Sequence, residues 1–237
     1  MTWLWRTCFS VLLAAPAVSG TLSGRVELAD SKNPEVRRHR DYSGVVVWIE
    51  PTEGKALPAA SRTAKMMQKG KRFIPHVLGI SVGTTVEFPN FDPIFHNAFS
   101  NFSGQPFDTG LYPPGTSQKV VFRREGIVHV FCNIHSTMSA VIVVMNTPYI
   151  TVTSPAGDFR IEGVPAGEYR LKVWHERATE QELRGLERRI SLAGNSLQLP
   201  LLRISESGYL EVPHKNKYGQ DYPPESPGYE APPGVRP

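Results

Sequence analysis

The sequence predicts an all-β protein built from β-sandwich units, and three observations support this fold class. Short apolar runs recur along the chain, with glycine-, proline- or aspartate-containing turns between them. Glycine and proline are both plentiful, with 20 and 21 residues among 237, which favours turn-rich β-structure over helical bundles. No long segment repeats its apolar residues with the 3.6-residue period of an amphipathic helix.

The charge pattern argues against a nucleic-acid-binding protein. The formal net charge is only +4, and the lysine and arginine residues are scattered along the chain rather than gathered into a basic stripe. A mildly positive surface is compatible with an acidic protein partner.

The N-terminal segment has the features of a secretory signal. Arg6 supplies a positive charge, residues 8–15 are mostly apolar, and Ala17, Val18 and Ser19 resemble a signal-peptidase site. We therefore predict a signal peptide at residues 1–20 and a bacterial periplasmic or secreted protein, with no membrane span after its removal. Cys132 would then be the remaining cysteine, and a free thiol in an exported protein needs a role such as metal ligation.

The predicted strands follow one another in order along the chain. Two lie at residues 22–28 and 44–50, separated by a charged segment, 30–41, that we interpret as a solvated loop, and followed by a linker at 51–64. A dense series of short strands then covers residues 71–75, 76–82, 85–88, 118–122, 127–131 and 140–144.

Four side chains in this series form a potential metal-ligand set. Cys132, His135 and Met138 lie on one short loop between two apolar runs, and His96 lies upstream in an aromatic segment. Two imidazoles, one thiolate and a weakly bound thioether are the ligands of a mononuclear blue-copper site. Taken singly, each residue is more often structural; His76, His129 and His175 are interpreted as structural here.

The region from 65 to 146 resembles the cupredoxins, the family of small blue copper proteins that includes plastocyanin and amicyanin. The matching motifs are Val82-Gly83-x-Thr85-Val86-x-Phe88-x-Asn90, His96-Asn97, Phe107-Asp108-x-Gly110 and Cys132-x-x-His135-x-x-Met138. The resemblance implies a Greek-key β-sandwich holding one type 1 copper per chain. It implies His96, Cys132 and His135 as equatorial ligands, Met138 as axial ligand, and Asn97 as the residue that supports the thiolate and ties the ligand loops together.

A second resemblance covers the segments on either side of this region. The pattern Gly157-x-Phe159-x-Ile161-x-x-Val164-Pro165-x-Gly167-x-Tyr169 looks like a carboxypeptidase regulatory-like, transthyretin/Ig-like β-sandwich, whose opening strands match Gly24-x-Val26 and residues 44–49. Residues 21–60 and 148–204 would then form one sandwich with the copper domain inserted. Alternatively, the copper domain is contiguous with an N-terminal extension. Pairing of residues 45–49 with residues 169–174 would support insertion, whereas pairing with the strand before Cys132 would reject it.

The C-terminal part is predicted to hold a charged segment, two closing strands and a disordered tail. Residues 176–189 are charged and are interpreted as a solvated excursion or a short helix, and closing strands follow at 190–192 and 197–202. From 205 to 237 the chain is rich in proline and nearly free of aliphatic residues, so we predict a disordered tail.

The sequence therefore predicts an exported one-electron carrier that docks redox partner proteins near His135. Two alternatives remain: a copper-binding or delivery protein without a redox role, and a non-catalytic β-sandwich binding module. An enzyme is not expected, because the His-x-His clusters of multicopper oxidases and the second loop cysteine of a dinuclear copper site are both missing.

Overall fold

The computed structural model describes residues 19–54, 62–101, 104–208 and 214–222, and the predicted all-β class is confirmed within them. The strands up to the ligand loop are β1 (Ser19–Ala29), β2 (Val46–Pro51), β3 (Thr63–Lys65), β4 (Met67–Gln68), β5 (Phe73–Ile74), β6 (Val77–Ser81), β7 (Thr85–Pro89), β8 (Phe99–Ser100), β9 (Phe107–Asp108), β10 (Ser117–Val121) and β11 (Gly126–Phe131). The strands after it are β12 (Ser139–Met145), β13 (Ile150–Val152), β14 (Asp158–Pro165), β15 (Gly167–Trp174), β16 (Arg188–Leu192), β17 (Ser196–Gln198) and β18 (Leu202–Ser205).

The segments on either side of residues 62–145 come together in one sandwich, called here the flanking sandwich. One sheet has the order β13-β2-β15-β16, and β2 pairs antiparallel with β15 so that Ile49 lies opposite Leu171. The other sheet is built on β1, which pairs antiparallel with β14 and parallel with β17 and β18. Residues 45–49 are therefore paired with the strand at 169–174, not with β11.

The central sandwich, residues 62–145, has two main sheets, a small two-stranded sheet of β4 and β5, and its own core. Its larger sheet has the order β6-β12-β11-β8-β9, and its smaller sheet the order β10-β7-β3. Large buried side chains fill the space between the sheets, among them Phe88, Tyr112, Phe122 and Ile142. The same core contains Cys132 and Met138.

The two sandwiches pack against each other through a third apolar cluster. Alternate residues of β2 face the flanking core, while Val46 and Trp48 face the central sandwich. Strand β12 behaves in the same way, with Val141 and Val143 in the shared cluster. At Gly79 an added Cβ would lie 3.1 Å from side-chain carbons of Val46 and Val152, so the glycine allows β6 to approach. Burial on both faces explains why β2 and β12 are nearly continuous apolar runs.

Among the residues that the structure describes, two short helices interrupt the strands, and both fall in the charged segments. Helix α1 (Pro34–His39) replaces the solvated loop predicted at 30–41, which was wrong. The Asn33 side chain caps its N-terminus by accepting a 2.8 Å hydrogen bond from the Glu35 amide, and Pro34 suits the first turn. Helix α2 (Glu180–Gly185) takes up part of the second charged segment. In the ranges that the structure describes, no helix is long and apolar enough to cross a membrane.

The predicted signal peptide, linker and C-terminal tail are described only in part. Residues 1–18 of the predicted signal peptide and residues 55–61 of the predicted linker lie outside the described residues. Ser19 and Gly20, counted within the signal peptide, are the first residues of β1 and pair with Pro165 and Val164. In the tail that was predicted to be disordered, residues 214–222 make defined contacts with the central sandwich; residues 209–213 and 223–237 lie outside the described part of the chain.

Candidate metal centre

Strand pairing in the central sandwich brings the two ligand-bearing loops side by side. Phe131, the last residue of β11, pairs with Phe99 at the start of β8. Cys132 follows Phe131 directly, and His96 lies three residues before Phe99. The return to β12 is closed by a hydrogen bond from the Cys132 amide to the Met138 carbonyl oxygen, at 3.1 Å.

The sulfur of Cys132 and the rings of His96 and His135 converge. Cys132 Sγ lies 3.8 Å from His96 Nδ1 and 3.6 Å from His135 Nδ1, and the three potential ligand atoms all lie within 4.8 Å of one another. Bonds of about 2.3 Å to sulfur and about 2.0 Å to nitrogen, meeting at about 110–120°, would place the sulfur about 3.5–3.7 Å from each nitrogen. The donors are therefore spaced to share one transition-metal ion.

The three candidate ligands differ in exposure. Cys132 and His96 have no exposed area, whereas His135 is partly exposed. Phe95 and Ile134, which adjoin ligands in the chain, expose 53% and 38% of their surface, and Leu111, next to Tyr112, exposes 57%. The site is thus buried at Cys132 and His96 and reaches solvent at His135.

His96 is oriented by a buried carboxylate. Its Nε2 donates to Asp92 Oδ2 at 2.8 Å, and neither side chain has any exposed area. The backbone amides of Gly70 and Lys71 also donate to Asp92, at 2.6 and 2.9 Å. Because Nε2 is engaged in this way, Nδ1 is the ring atom presented to Cys132.

The charge states at this pair follow from burial and hydrogen bonding. Burial opposes ionisation of Asp92, but the amides of Lys71 and Gly70 and the hydrogen bond from His96 outweigh it and lower the carboxyl pKa. Burial lowers the pKa of His96 despite the attraction of Asp92. The imidazole is therefore neutral near pH 7, which is the form that ligates metals.

The sulfur of Cys132 is surrounded by backbone donors. Burial raises the pKa of the thiol, while backbone N–H groups of Asn97, Ile134 and His135 directed at the sulfur act in the opposite sense. Three donors aimed at one sulfur stabilise negative charge there. This environment suits a thiolate that is compensated by a bound cation.

Asn97 links the two loops. Its Oδ1 accepts a 2.7 Å hydrogen bond from the Asn133 amide, and its Nδ2 donates to Asp108 Oδ1 at 3.2 Å. Its carbonyl oxygen accepts from Gln68 Nε2 at 3.1 Å. The residue assigned by resemblance to tie the loops together thus lies between them.

Met138 is fully buried in the core that also contains Cys132. Its amide donates to the His135 carbonyl oxygen at 3.2 Å, so the segment from Cys132 to Met138 is closed by two backbone hydrogen bonds. Met138 and Cys132 thus lie in the same core, at the two ends of the ligand loop.

Two other histidines contact carboxylates away from this site. His76 Nε2 lies 2.8 Å from Glu176 Oε2, a contact between the two sandwiches, and His175 Nε2 lies 2.7 Å from Glu206 Oε1. Within the described ranges, His96, Cys132 and His135 are the group of ligand-type side chains close enough to hold an ion.

Two features of the site were missed by sequence reasoning. Asp92 carries only the signal of a polar residue before Pro93, which is typical of an exposed turn. Tyr222, in the predicted disordered tail, donates from its hydroxyl to the Cys132 carbonyl oxygen at 2.9 Å. Nothing in the local sequence around Tyr222 indicates this long-range contact.

Comparisons with known proteins give partial likenesses to copper proteins. No protein-family model matches the chain, and no curated protein matches it. A purple cupredoxin from Nitrosopumilus maritimus is similar at 27% identity over 34% of this chain and 98% of that one, with a TM-score of 0.32.

Two further solved structures are also similar to part of the chain. A copper-containing nitrite reductase from Thermus scotoductus SA-01 is similar at 26% identity over 50% of this chain and 28% of that one, with a TM-score of 0.34. A mutant of amicyanin in its Cu(I) form matches at 15% identity over 40% of this chain and 97% of that one, with a TM-score of 0.33.

Proposed function

We propose that the protein is a blue-copper electron carrier, with His96, Cys132 and His135 as equatorial ligands and Met138 as axial ligand of one copper ion. The observation that supports this most strongly is the convergence of one thiol and two imidazole nitrogens within 4.8 Å, with backbone N–H groups directed at the sulfur. A soft thiolate combined with imidazoles serves both oxidation states of copper.

The polypeptide would fix the positions of the ligand atoms. Bound copper would supply the one-electron couple between Cu(II) and Cu(I). Asp92 fixes the ring of His96, Asn97 fixes the loop that follows Cys132, and the buried core restricts both. Ligands that keep their positions in both oxidation states lower the reorganisation that accompanies electron transfer.

A redox partner protein would dock on the face where His135 reaches solvent. Phe95 and Ile134 adjoin the ligands in sequence and are exposed. Leu111 is brought to His96 because Tyr112 exchanges backbone hydrogen bonds with His96, at 2.9 and 3.3 Å. Exposed apolar side chains around a partly exposed ligand provide a surface for a transient, short-lived complex.

The flanking sandwich would serve as a non-catalytic module of the carboxypeptidase regulatory-like type, with the copper domain inserted between its strands. The pairing of β2 with β15 supports this arrangement, as does the shared apolar cluster between the sandwiches. We further propose that the chain is exported, periplasmic or secreted, and has no enzymatic activity.

Titration of the purified apoprotein with Cu(II) tests the proposed function. We expect an intense visible charge-transfer band that saturates at one copper per chain, bleaches on reduction and returns on reoxidation. A colourless complex that binds Cu(I) weakly and releases it to an acceptor would instead support a copper-delivery role and contradict electron transfer.

A further inference from the structure

The C-terminal segment 214–222 lies against the loop that carries Cys132. Tyr222 donates its hydroxyl hydrogen bond to the Cys132 carbonyl oxygen at 2.9 Å. The Lys217 amide donates to Asn133 Oδ1 at 3.0 Å. The His214 ring stacks on Phe131, with ring centroids 4.1 Å apart and an angle of 25° between the planes. Three consecutive residues of the central sandwich, 131–133, are thus contacted from outside by one segment.

This segment, called here the strap, has its own local structure. Asn216 Oδ1 accepts from the Tyr218 and Gln220 amides at 2.9 and 3.1 Å, and the Asn216 and Gln220 backbones are joined by a 3.0 Å hydrogen bond. Tyr222 Oη also lies 3.2 Å from His214 Nδ1, which connects the two ends of the strap. A turn closed at both ends presents Tyr222 and Lys217 in fixed positions.

A second set of contacts joins the strap to the residues around Asn97. Lys217 Nζ lies 2.8 Å from Asp108 Oδ2, and the other oxygen of Asp108 accepts from Asn97 Nδ2 at 3.2 Å. Asn101 Nδ2 donates to the Lys217 carbonyl oxygen at 3.1 Å. Lys217 therefore contacts both Asn133 and the carboxylate that holds Asn97.

We propose that the strap positions the ligand loop, with Tyr222 and Lys217 as positioning residues for the Cys132 sulfur. Asn133 is held from inside by Asn97 and from outside by Lys217, so the residue next to the ligand cannot shift without breaking hydrogen bonds on two sides. That Cys132 is a copper ligand rests on the proposed function, whereas the restraint of the loop by the strap does not.

The strap also acts on the electrostatics of the site. The Tyr222 O–H dipole directs its positive end at the carbonyl of Cys132. A positive dipole end close to a ligand favours the more reduced, more negative state of the site. Loss of the hydroxyl should therefore lower the reduction potential, and it should also loosen the loop.

The experiment compares the full-length Tyr222→Phe variant with the wild type and with Tyr218→Phe, a matched change in the strap at a residue that is 68% exposed. Asn133→Ala is the second variant, since it removes the acceptor for the Lys217 amide and keeps the Asn133 amide. Amide hydrogen exchange of residues 132–138 is measured in the apoprotein, and the visible spectrum and reduction potential are measured after copper loading.

We expect exchange in the ligand loop to rise roughly 2- to 10-fold in Tyr222→Phe and Asn133→Ala, with the potential of copper-loaded Tyr222→Phe lower than that of Tyr218→Phe. Faster exchange without any blue band in the wild type would support the strap and contradict the proposed electron carrier. A blue wild type whose exchange rates and potential are the same in all variants would overturn the strap and leave the proposed function standing.

Discussion

Replacing Asp92 by Asn tests whether the orientation of His96 determines metal affinity. In the wild type, Asp92 Oδ2 accepts from both His96 Nε2 and the Lys71 amide, while Oδ1 accepts from the Gly70 amide. An asparagine retains one acceptor oxygen, so its NH₂ group must face one of these donors. The substitution changes few atoms but cannot satisfy all three hydrogen bonds.

The magnitude follows from the burial of this pair. The His96 and Asp92 side chains have no exposed area, and their hydrogen bond is 2.8 Å long, so a charge-assisted bond of about 1.5–3 kcal/mol is disturbed. This range corresponds to about a 10- to 100-fold loss of copper affinity, the usual effect of losing a group that orients a metal-ligating histidine. Removal of a buried negative charge should also raise the reduction potential, because Cu(II) loses more stabilisation than Cu(I).

The assay is an equilibrium competition for Cu(II) between the apoprotein and a chelator of known affinity, with far-ultraviolet circular dichroism to verify folding. Glu87→Gln is the matched control, because Glu87 lies in the same sandwich and pairs with Lys119 at the surface. The control should bind copper like the wild type. An affinity of folded Asp92→Asn within about twofold of the wild type would refute the positioning role of Asp92.

Three further predictions concern the ligands and a buried ion pair. Cys132→Ser should fold and lose the blue band in the visible spectrum, because thiolate donation produces the absorption; a persisting band would show that Cys132 is not the ligand. Met138→Leu should retain copper and change its reduction potential in voltammetry, and an unchanged potential would argue against Met138 as axial ligand. Burial opposes ionisation of Glu206, but hydrogen bonds from His175, Arg177 and Ser31 outweigh it and lower its pKa to about 2. The ionised Glu206 carboxylate should therefore add about 3 kcal/mol to the free energy of unfolding above about pH 4.5, and this stabilisation should be lost as the pH falls towards about 2. In urea unfolding, apo Glu206→Gln should show a flatter pH dependence of stability than the wild type; equal slopes would contradict this.

The candidate ligands could be predicted from sequence because most of the information is local. Cys132, His135 and Met138 occupy one loop, so their spacing alone brings them together. Only His96 depends on a long-range event, the pairing of Phe131 with Phe99. The aromatic runs that form those strands indicate the pairing partners only through resemblance to known copper proteins.

The group that orients His96 could not be predicted, because it depends on residues from another part of the chain. Asp92 becomes a buried acceptor when the amides of Gly70 and Lys71 reach it. In the sequence, the same residue resembles a solvent-exposed turn aspartate. Helix α1, by contrast, has a local start signal in Asn33 and Pro34, although the charge content of the segment suggests a solvated loop.

The strap shows the limit of composition as a guide to order. Low aliphatic content predicts disorder because little apolar surface can be buried. Residues 214–222 are instead held by ring stacking on Phe131 and by hydrogen bonds to Cys132 and Asn133. These contacts depend on a ring and on hydrogen-bond acceptors that lie far away in the sequence, so no local pattern in residues 214–222 predicts them.

The most direct test of the central claim is an X-ray absorption spectrum at the copper edge of the chain loaded with one equivalent of copper. We expect one sulfur and two imidazole nitrogens at short distance, with the short sulfur contribution lost in Cys132→Ser. A spectrum with only nitrogen and oxygen ligands, or a short sulfur contribution that persists in Cys132→Ser, would contradict the proposed copper site.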